Sequence, residues 1–390
     1  GIRLMPFRCH ACETMVTSLQ AICESCGGFV RYEEGDEQRL VDAVSGDPSA
    51  ALPTFGADLS MGEGETPLVE LDRLDLAPTV HGKLDSLNPT CSFKDRGSAL
   101  LVSAVTDPET AWEGIVVAST GNTAPSVAAY AARSGTPCAV LVPTGTSLSK
   151  LAQVAAHGVP IYTVDGTFSD CFQFAQRVSS DRILNATAVY SANPFVASAN
   201  RTVAFELVAE LGAAPDWVTV PVGAGPLLGG THAGFAELYE AGIIETLPRM
   251  LCVQVDGCHP IVRAIDRDES VRPWSGEIKT EVGAIADPLR GYAADGEETR
   301  RAVVESDGTG VALDDDTINE WTHRLAAQEG VYAEPASAAS VAAVTADAVN
   351  PDDTVVALVT GHGLKEPEGD DIETASVGDD SEALRTMLLG

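Results

Sequence analysis

Lys94 is the residue whose type and setting most suggest chemistry. It lies in Asn88-Pro89-Thr90-Cys91-Ser92-Phe93-Lys94-Asp95-Arg96-Gly97, between an alternating run at 79–84 that reads as a strand and an apolar run at 98–105 that reads as a helix. The Asn-Pro-Thr turn stops the strand, and Ser92 is the expected N-cap. Lys94 then falls in the first helical turn, where the helix dipole repels a cation and favours a neutral amine. A neutral lysine in a dry pocket is the form that condenses with an aldehyde. Composition sharpens the point: of 24 basic residues only five are lysines, at 83, 94, 150, 279 and 365. The alternative is a surface lysine whose stem lies along apolar neighbours.

Three further loops stand at the ends of predicted strands, where open α/β sheets bind ligands. Ala118-Ser119-Thr120-Gly121-Asn122-Thr123 offers amides and hydroxyls to an anion such as an α-carboxylate, and Asn122 offers a hydrogen bond to a ring substituent. An ordinary capping turn is the plainer reading. In Pro221-Val222-Gly223-Ala224-Gly225-Pro226-Leu227-Leu228-Gly229-Gly230 the glycines let main-chain N–H groups approach a phosphate at the mouth of a helix. The same glycines invite a dinucleotide reading, but no acidic residue follows at the usual distance of about twenty residues. Val359-Thr360-Gly361-His362-Gly363-Leu364-Lys365 sets the Thr360 hydroxyl at a strand end, placed to meet a ring nitrogen. His362 reads as structural.

A separate constellation opens the chain. Cys9-His10-Ala11-Cys12, ten intervening residues and Cys23-Glu24-Ser25-Cys26 give two thiolate pairs at the spacing of a tetrahedral Zn2+ site. Four thiolates leave no open position, so Cys9, Cys12, Cys23 and Cys26 would bind a structural zinc in a small zinc-ribbon-like module. A redox Cys-x-x-Cys is the weaker alternative, because no βαβ pattern surrounds either pair.

The elements that must position these loops follow from periodicity. Strands are expected at 115–118, 138–142, 159–164, 188–191, 217–222, 250–255 and 354–359. Helices are expected at 38–44, 123–133, 148–156, 168–178, 202–211, 231–241, 315–329 and 336–349. Strands alternating with helices of about ten residues mean βα units and parallel sheets. The fold class is therefore α/β, with two parallel-sheet domains facing across a cleft. The expected division is a module at 1–35, an N-terminal α/β part at 36–205, a C-terminal α/β domain at 206–366 and an acidic tail at 367–390.

With 390 residues and 45% hydrophobic content, the chain has enough apolar material for sizeable cores. Its net charge is −33 and its isoelectric point about 4.3. The acids are spread along the chain, which fits adaptation to high salt better than a nucleic-acid mimic. Nucleic acid is not an expected partner, since no basic patch could neutralise phosphates. No apolar run reaches eighteen residues and no secretory leader opens the sequence, so no membrane role is expected. Nine cysteines, an odd number, do not make a disulfide framework, and a reducing cytoplasm fits them better.

The motifs Asn-Pro-Thr-x-Ser-Phe-Lys-Asp-Arg-Gly, Ala-Ser-Thr-Gly-Asn-Thr, Glu-Pro-Ala-Ser-Ala-Ala-Ser at 334–340 and Thr-Gly-His-Gly-Leu-Lys, in this order, closely resemble the threonine-synthase family. That family belongs to the fold type II, tryptophan-synthase-β-like group of pyridoxal-phosphate enzymes. The resemblance covers about residues 60–366. It implies that Lys94 holds pyridoxal 5'-phosphate covalently and, once free, moves protons. It implies that Asn122 contacts the ring hydroxyl, that Gly223, Ala224, Gly225, Pro226 and Leu227 hold the phosphate, and that Thr360 faces the ring nitrogen. Ser119, Thr120 and Asn193 would meet the substrate. The implied reaction converts O-phosphohomoserine and water to threonine and phosphate, in a homodimer.

Three departures are visible. Cys91 stands where the family usually has Gly, the phosphate loop is not the usual Gly-Asn-Ala-Gly-Asn, and Val196 replaces the arginine of Asn-Pro-Tyr-Arg. If that arginine pairs with the substrate phosphate, Arg201 and Arg290 are the candidates to replace it. A threonine/serine dehydratase, a sulfur-nucleophile synthase and a non-catalytic zinc-ribbon paralogue are the competing readings.

Overall fold

A computed structural model describes residues 7–16 and 19–366. The expected acidic tail at 367–390 lies outside the described residues. Three sheets organise the rest.

The larger α/β sheet has six strands in the order Thr309–Leu313, Arg249–Val255, Trp217–Pro221, Thr354–Leu358, Thr79–Lys83 and Leu68–Glu70. All pair in parallel except the last, which runs antiparallel to Thr79–Lys83. The smaller sheet is wholly parallel, in the order Ile161–Val164, Cys138–Pro143, Gly114–Ala118 and Ile183–Asn185. Trp217–Pro221 is buried at every position. Such an unbroken buried run is what a parallel strand covered on both faces requires. Val116 and Leu141 of the smaller sheet share one core with Val218 and Val356 of the larger.

The third sheet is a small antiparallel one, Met15–Val16, Phe7–Cys9 and Val30–Tyr32, which carries the paired cysteines. Phe7 and Tyr32 pack into a core with Phe195 and Phe55, and Phe195 meets Phe7, Phe55 and Trp112 edge-on.

The division at residue 205 needs correction. Strands 68–70 and 79–83, assigned to the N-terminal part, hydrogen-bond into the sheet built mostly from the C-terminal half. The cause is the pairing of Thr79–Lys83 with Thr354–Leu358, residue 79 opposite 354.

Several elements also shift. Residues 188–191 are not a strand; the chain pairs at Ile183–Asn185 instead. Beyond that strand side chains occupy the main chain, as Thr187 N–H donates to Asn185 Oδ1 and Asn193 Nδ2 donates to the carbonyls of Asn185 and Thr187. The helix expected at 231–241 spans Pro226–Glu240, with proline at its first position, where a fixed φ and a missing N–H do no harm. Gly230 and Gly234 inside it are contact points: a Cβ on Gly230 would lie 2.4 Å from the Ala197 carbonyl oxygen, and one on Gly234 2.5 Å from that of Arg201. The helix expected at 336–349 ends at Ala342. Helices Pro260–Arg267 and Ala293–Glu305 and strand Thr309–Leu313 were not anticipated. No described helix is long and apolar enough to cross a membrane.

Candidate functional site

Lys94 opens the helix Lys94–Thr106, and the residue before it is Phe93. Ser92 therefore does not cap this helix, and its buried hydroxyl has no hydrogen-bond partner among the described residues. Main-chain contacts hold the loop instead. Phe93 N–H donates to the Thr360 carbonyl at 2.9 Å, His362 N–H donates to the Cys91 carbonyl at 3.1 Å, and Ser92 bridges Gly361. The lysine loop is thus pinned to the Thr360 loop. Cys91 has φ 66°, a left-handed backbone that glycine adopts without strain, which gives a physical reason for the glycine usual at this place.

The residues flanking Lys94 are fully engaged. Asp95 accepts from the Thr90 amide, the Thr90 hydroxyl and the Ser126 hydroxyl, each at 2.6 Å. Buried Arg96 donates to Asp85 at 2.8 Å and pairs with Glu206, which also pairs with Lys83 at 2.9 Å. Lys83 is buried in this network, so scarcity alone does not single out Lys94. The ion pairs tie the first turn of the Lys94 helix to the strand Thr79–Lys83.

All four loops converge on one cavity of about 570 Å³, lined by Lys94, Ser119, Thr120, Asn122, residues 223–227 and Thr360. Gly225 caps the helix Pro226–Glu240 with φ 101°. The first amides of a helix have no partners within it and carry its positive end. Pro226 supplies no N–H, so the Leu227 and Leu228 amides are the first-turn donors left at the helix mouth. Thr360 Oγ1 lies 2.9 Å from Ser337 Oγ and is buried.

Two sequence assignments move. Asn193 does not line the cavity: its Nδ2 donates to two carbonyls and its Oδ1 accepts from the amides of Phe195 and Val196. It shapes the turn and has no atom left for a substrate. Arg201 is buried against Glu237 and the Ala51 carbonyl, away from the cavity. Arg290 does line it, as does Lys365, while Val196 leaves an apolar patch on the wall.

Sequence reasoning gave no role to Glu334 or Asp287. Glu334 is buried, and Asn122 Nδ2 donates to both its oxygens at 3.1 and 3.0 Å. Burial pushes its carboxyl up to about 7. Asp287 is raised by burial as well and accepts from the Tyr292 hydroxyl at 2.6 Å. The signals for Glu334 are its place at the head of the Glu-Pro-Ala-Ser-Ala-Ala-Ser motif and before a proline that starts a helix; nothing in the spacing marks Asp287.

Burial pushes Lys94 down to about 8, against the opposing pull of Glu334 and Asp287. An ordinary lysine titrates near 10.4, so this amine is neutral far more often at physiological pH. The rate at which the cofactor-free protein captures an aldehyde should therefore rise with pH through about 8 and level off above it. In Glu334→Gln the midpoint should move lower, because a charge that favours the ammonium form is gone. Stopped-flow absorbance across pH reads both, and a midpoint above pH 10 in the native protein would refute the assignment.

The profile of the family described as "Pyridoxal-phosphate dependent enzyme" matches residues 59–361. The chain belongs to the pyridoxal-phosphate dependent enzyme family. Among curated relatives, threonine synthase of Mycobacterium tuberculosis (strain ATCC 25618 / H37Rv) is 40% identical over 315 residues, covering 78% of this chain and 83% of its own. That of Methanocaldococcus jannaschii is 36% identical over 321 residues, covering 80% and 77%. That of Methanosarcina acetivorans is 34% identical over 355 residues, covering 87% and 85%. Among solved structures, maize serine racemase superposes with a TM-score of 0.67 at 19% identity, covering 91% of this chain and 99% of that one. The processed form of threonine deaminase isoform 2 from Solanum lycopersicum gives 0.64 at 20%, covering 85% and 91%. At such identities these two attest the fold.

Pyridoxal phosphate presents an aldehyde, a phosphate, a ring oxygen and a ring nitrogen. This cavity answers with an amine whose pKa burial lowers, a helix mouth, a side-chain amide and a hydroxyl, so the residues fit the family's cofactor. The paired cysteines also converge: their sulfurs all lie within 4.8 Å of one another, with Cys9–Cys26 at 3.4 Å and Cys12–Cys23 at 3.8 Å. Zinc–sulfur bonds of about 2.3 Å in a tetrahedron place sulfurs about 3.8 Å apart, so this set fits a metal ion.

Proposed function

We propose that this chain is a threonine synthase, converting O-phosphohomoserine and water to threonine and phosphate by γ-elimination and β-addition. The observation that carries this reading is the meeting of Lys94, Asn122, the 223–227 loop and Thr360 around one cavity, in a chain 34–40% identical to threonine synthases over most of its length. Lys94 is the covalent anchor, residues 223–227 and the following helix mouth hold the cofactor phosphate, Asn122 meets the ring oxygen and Thr360 the ring nitrogen.

Pyridoxal phosphate, when bound, supplies an electron sink for carbanions next to the amino group. The chain's residues do the rest. The Ser119–Thr120 loop, at the mouth of the helix Thr123–Ser134, orients the substrate carboxylate. The freed Lys94 amine withdraws one proton from Cα and one from Cβ, and returns one to Cγ, which becomes the methyl as phosphate leaves, and one to Cα; water adds its hydroxyl at Cβ, and its remaining proton goes with the released phosphate. Thr360, a neutral hydroxyl, leaves the ring nitrogen unprotonated, which suits elimination and replacement better than transamination. Arg290 and Lys365 are the cations on the wall available to the leaving phosphate. At the N-terminus, Cys9, Cys12, Cys23 and Cys26 form a structural zinc site in a ribbon-like module.

Purified holoenzyme should release phosphate and form threonine from O-phosphohomoserine. Arg290→Gln should raise KM about tenfold or more, the weight of one lost charge-assisted hydrogen bond, with kcat little changed. The apolar Val196 favours one second reading, a dehydratase acting on an unphosphorylated amino acid. Conversion of threonine to 2-oxobutyrate and ammonia, without phosphate release from O-phosphohomoserine, would establish that reading and overturn the first.

A further inference from the structure

Behind the 223–227 loop, on the side away from the cavity, two hydroxyls hold its carbonyls. Tyr190 Oη donates to Gly225 O at 3.0 Å, and Thr299 Oγ1 donates to Ala224 O at 2.7 Å. The fit is close: a Cβ on Gly225 would lie 2.2 Å from Thr299 Oγ1, and one on Gly229 would lie 2.0 Å from Tyr190 Oη. These glycines thus admit side chains from behind as well as any ligand in front. Tyr190 and Thr299 line none of the cavity, so they touch neither cofactor nor substrate.

Each hydroxyl is backed by the cysteine module. Phe29, three residues beyond Cys26, stacks on the Tyr190 ring with centroids 5.6 Å apart and planes at 25°. His10, between Cys9 and Cys12, bonds through Nδ1 to Glu298 Oε1, next to Thr299 on the helix Ala293–Glu305. His10, Phe29, Tyr190 and Glu298 surround one small void with Gly229. Two short contact chains therefore run from the four cysteines to the two carbonyls of the loop.

We propose that Tyr190 and Thr299 are positioning residues for the cofactor phosphate, and that the metal-filled cysteine module, through Phe29 and His10, holds them in place. This rests on the phosphate lying in the 223–227 loop. A sheet this small has little core of its own, and metal supplies much of its order. Metal loss frees Phe29 and His10, the two hydroxyls lose their backing, and the loop amides lose their aim at the phosphate. Linkage makes the effect reciprocal: bound cofactor tightens metal binding by the same factor.

The test uses full-length protein and reads binding, not turnover. Pyridoxal phosphate and pyridoxal are titrated by absorbance and fluorescence into zinc-loaded protein and into protein stripped with chelator. Stripping should weaken pyridoxal phosphate about tenfold, within the usual range of coupling between sites, and pyridoxal little. Phe29→Leu, which keeps all four cysteines, should bind zinc in full yet show most of that weakening without stripping. Tyr190→Phe should do the same and move the 31P resonance of bound cofactor. If stripping unfolds the protein, the two zinc-loaded variants carry the test alone. Unchanged affinity and unchanged 31P shift in both variants would overturn the proposal. Gly223→Asp tests the underlying assignment separately: a Cβ there makes only ordinary contact, 3.4 Å from the Ala284 carbonyl oxygen and 3.7 Å from Asp287 Cβ, so the backbone admits a side chain, whose negative charge in the loop should repel the phosphate. If Gly223→Asp spares pyridoxal phosphate, the loop assignment fails; if it weakens binding while the other variants do not, only the support by the module fails.

Discussion

Lys94→Ala protein is expected to bind pyridoxal phosphate without bonding to it. Borohydride should then fix no cofactor to the chain, and peptide mapping should find no label, whereas native protein should carry it at residue 94. Activity should fall by about four orders of magnitude or more, since one change removes both the anchor and the group that moves protons, and a positioned base alone contributes about 10²–10⁴. Thr360, the 223–227 loop and Asn122 remain, so non-covalent binding should persist. A variant that was still labelled, on Lys83 or Lys365, would overturn the assignment. Lys83 is ruled out by its pairing with Glu206 and Glu210. Lys365 is the real competitor, because it lines the same cavity and is also lowered by burial.

The second large effect concerns stability. Arg96→Met should lower unfolding free energy by about 3–5 kcal/mol, the usual cost of leaving buried charges without their partner. Asp85 and Glu206 are both buried and both face that guanidinium. The pH dependence fixes the sign. Burial by itself would raise Glu206, but Arg96 and Lys83 overcome it and hold the carboxyl at about 2. A group depressed below its unfolded value of about 4.3 contributes its stability in full above that value and loses it as pH falls towards 2. Native protein should weaken across that acid window, and Arg96→Met should be weaker already at neutral pH with a shallower acid loss. Urea midpoints measured from pH 7 down to pH 3 check both. A neutral-pH loss below 1 kcal/mol would mean that the network relaxes or takes up water.

The parts legible in the sequence are those set by local pattern. Apolar periodicity with a stop signal located the helices Phe168–Val178, Thr202–Leu211 and Asp315–Glu329 at their observed ends, because glycine or a change of polarity follows each. Loops at strand ends marked Lys94, Asn122, Gly225 and Thr360, since parallel sheets put ligand groups at one edge. What stayed hidden depends on distant partners. The helix Ala293–Glu305 is polar along much of its length and gains its place from Gly296 packing on Leu289 and from Thr299 behind the glycine loop. Asn193 looks like a binding residue because its amide is versatile, yet the turn uses all of it. Glu334 and Asp287 enter the site through folding alone, and no spacing rule connects residue 94 with residue 287 or 334.

The partnership between residue 79 and residue 354 also governs how the chain can be made. A ribosome delivers Thr79–Lys83 and the neighbouring Lys94 segment long before it delivers Thr354–Leu358, which must slot between that early strand and Trp217–Pro221. Until then the early strand has an open edge. Closing so long a loop is slow, and uncovered edges of this kind recruit other chains. The smaller sheet, contiguous between residues 114 and 185, is free to assemble during synthesis. The cavity around Lys94 and Thr360 comes into being only after residues 354–360 have been made, so chains stalled or shortened before them should be prone to clump and helped by chaperones.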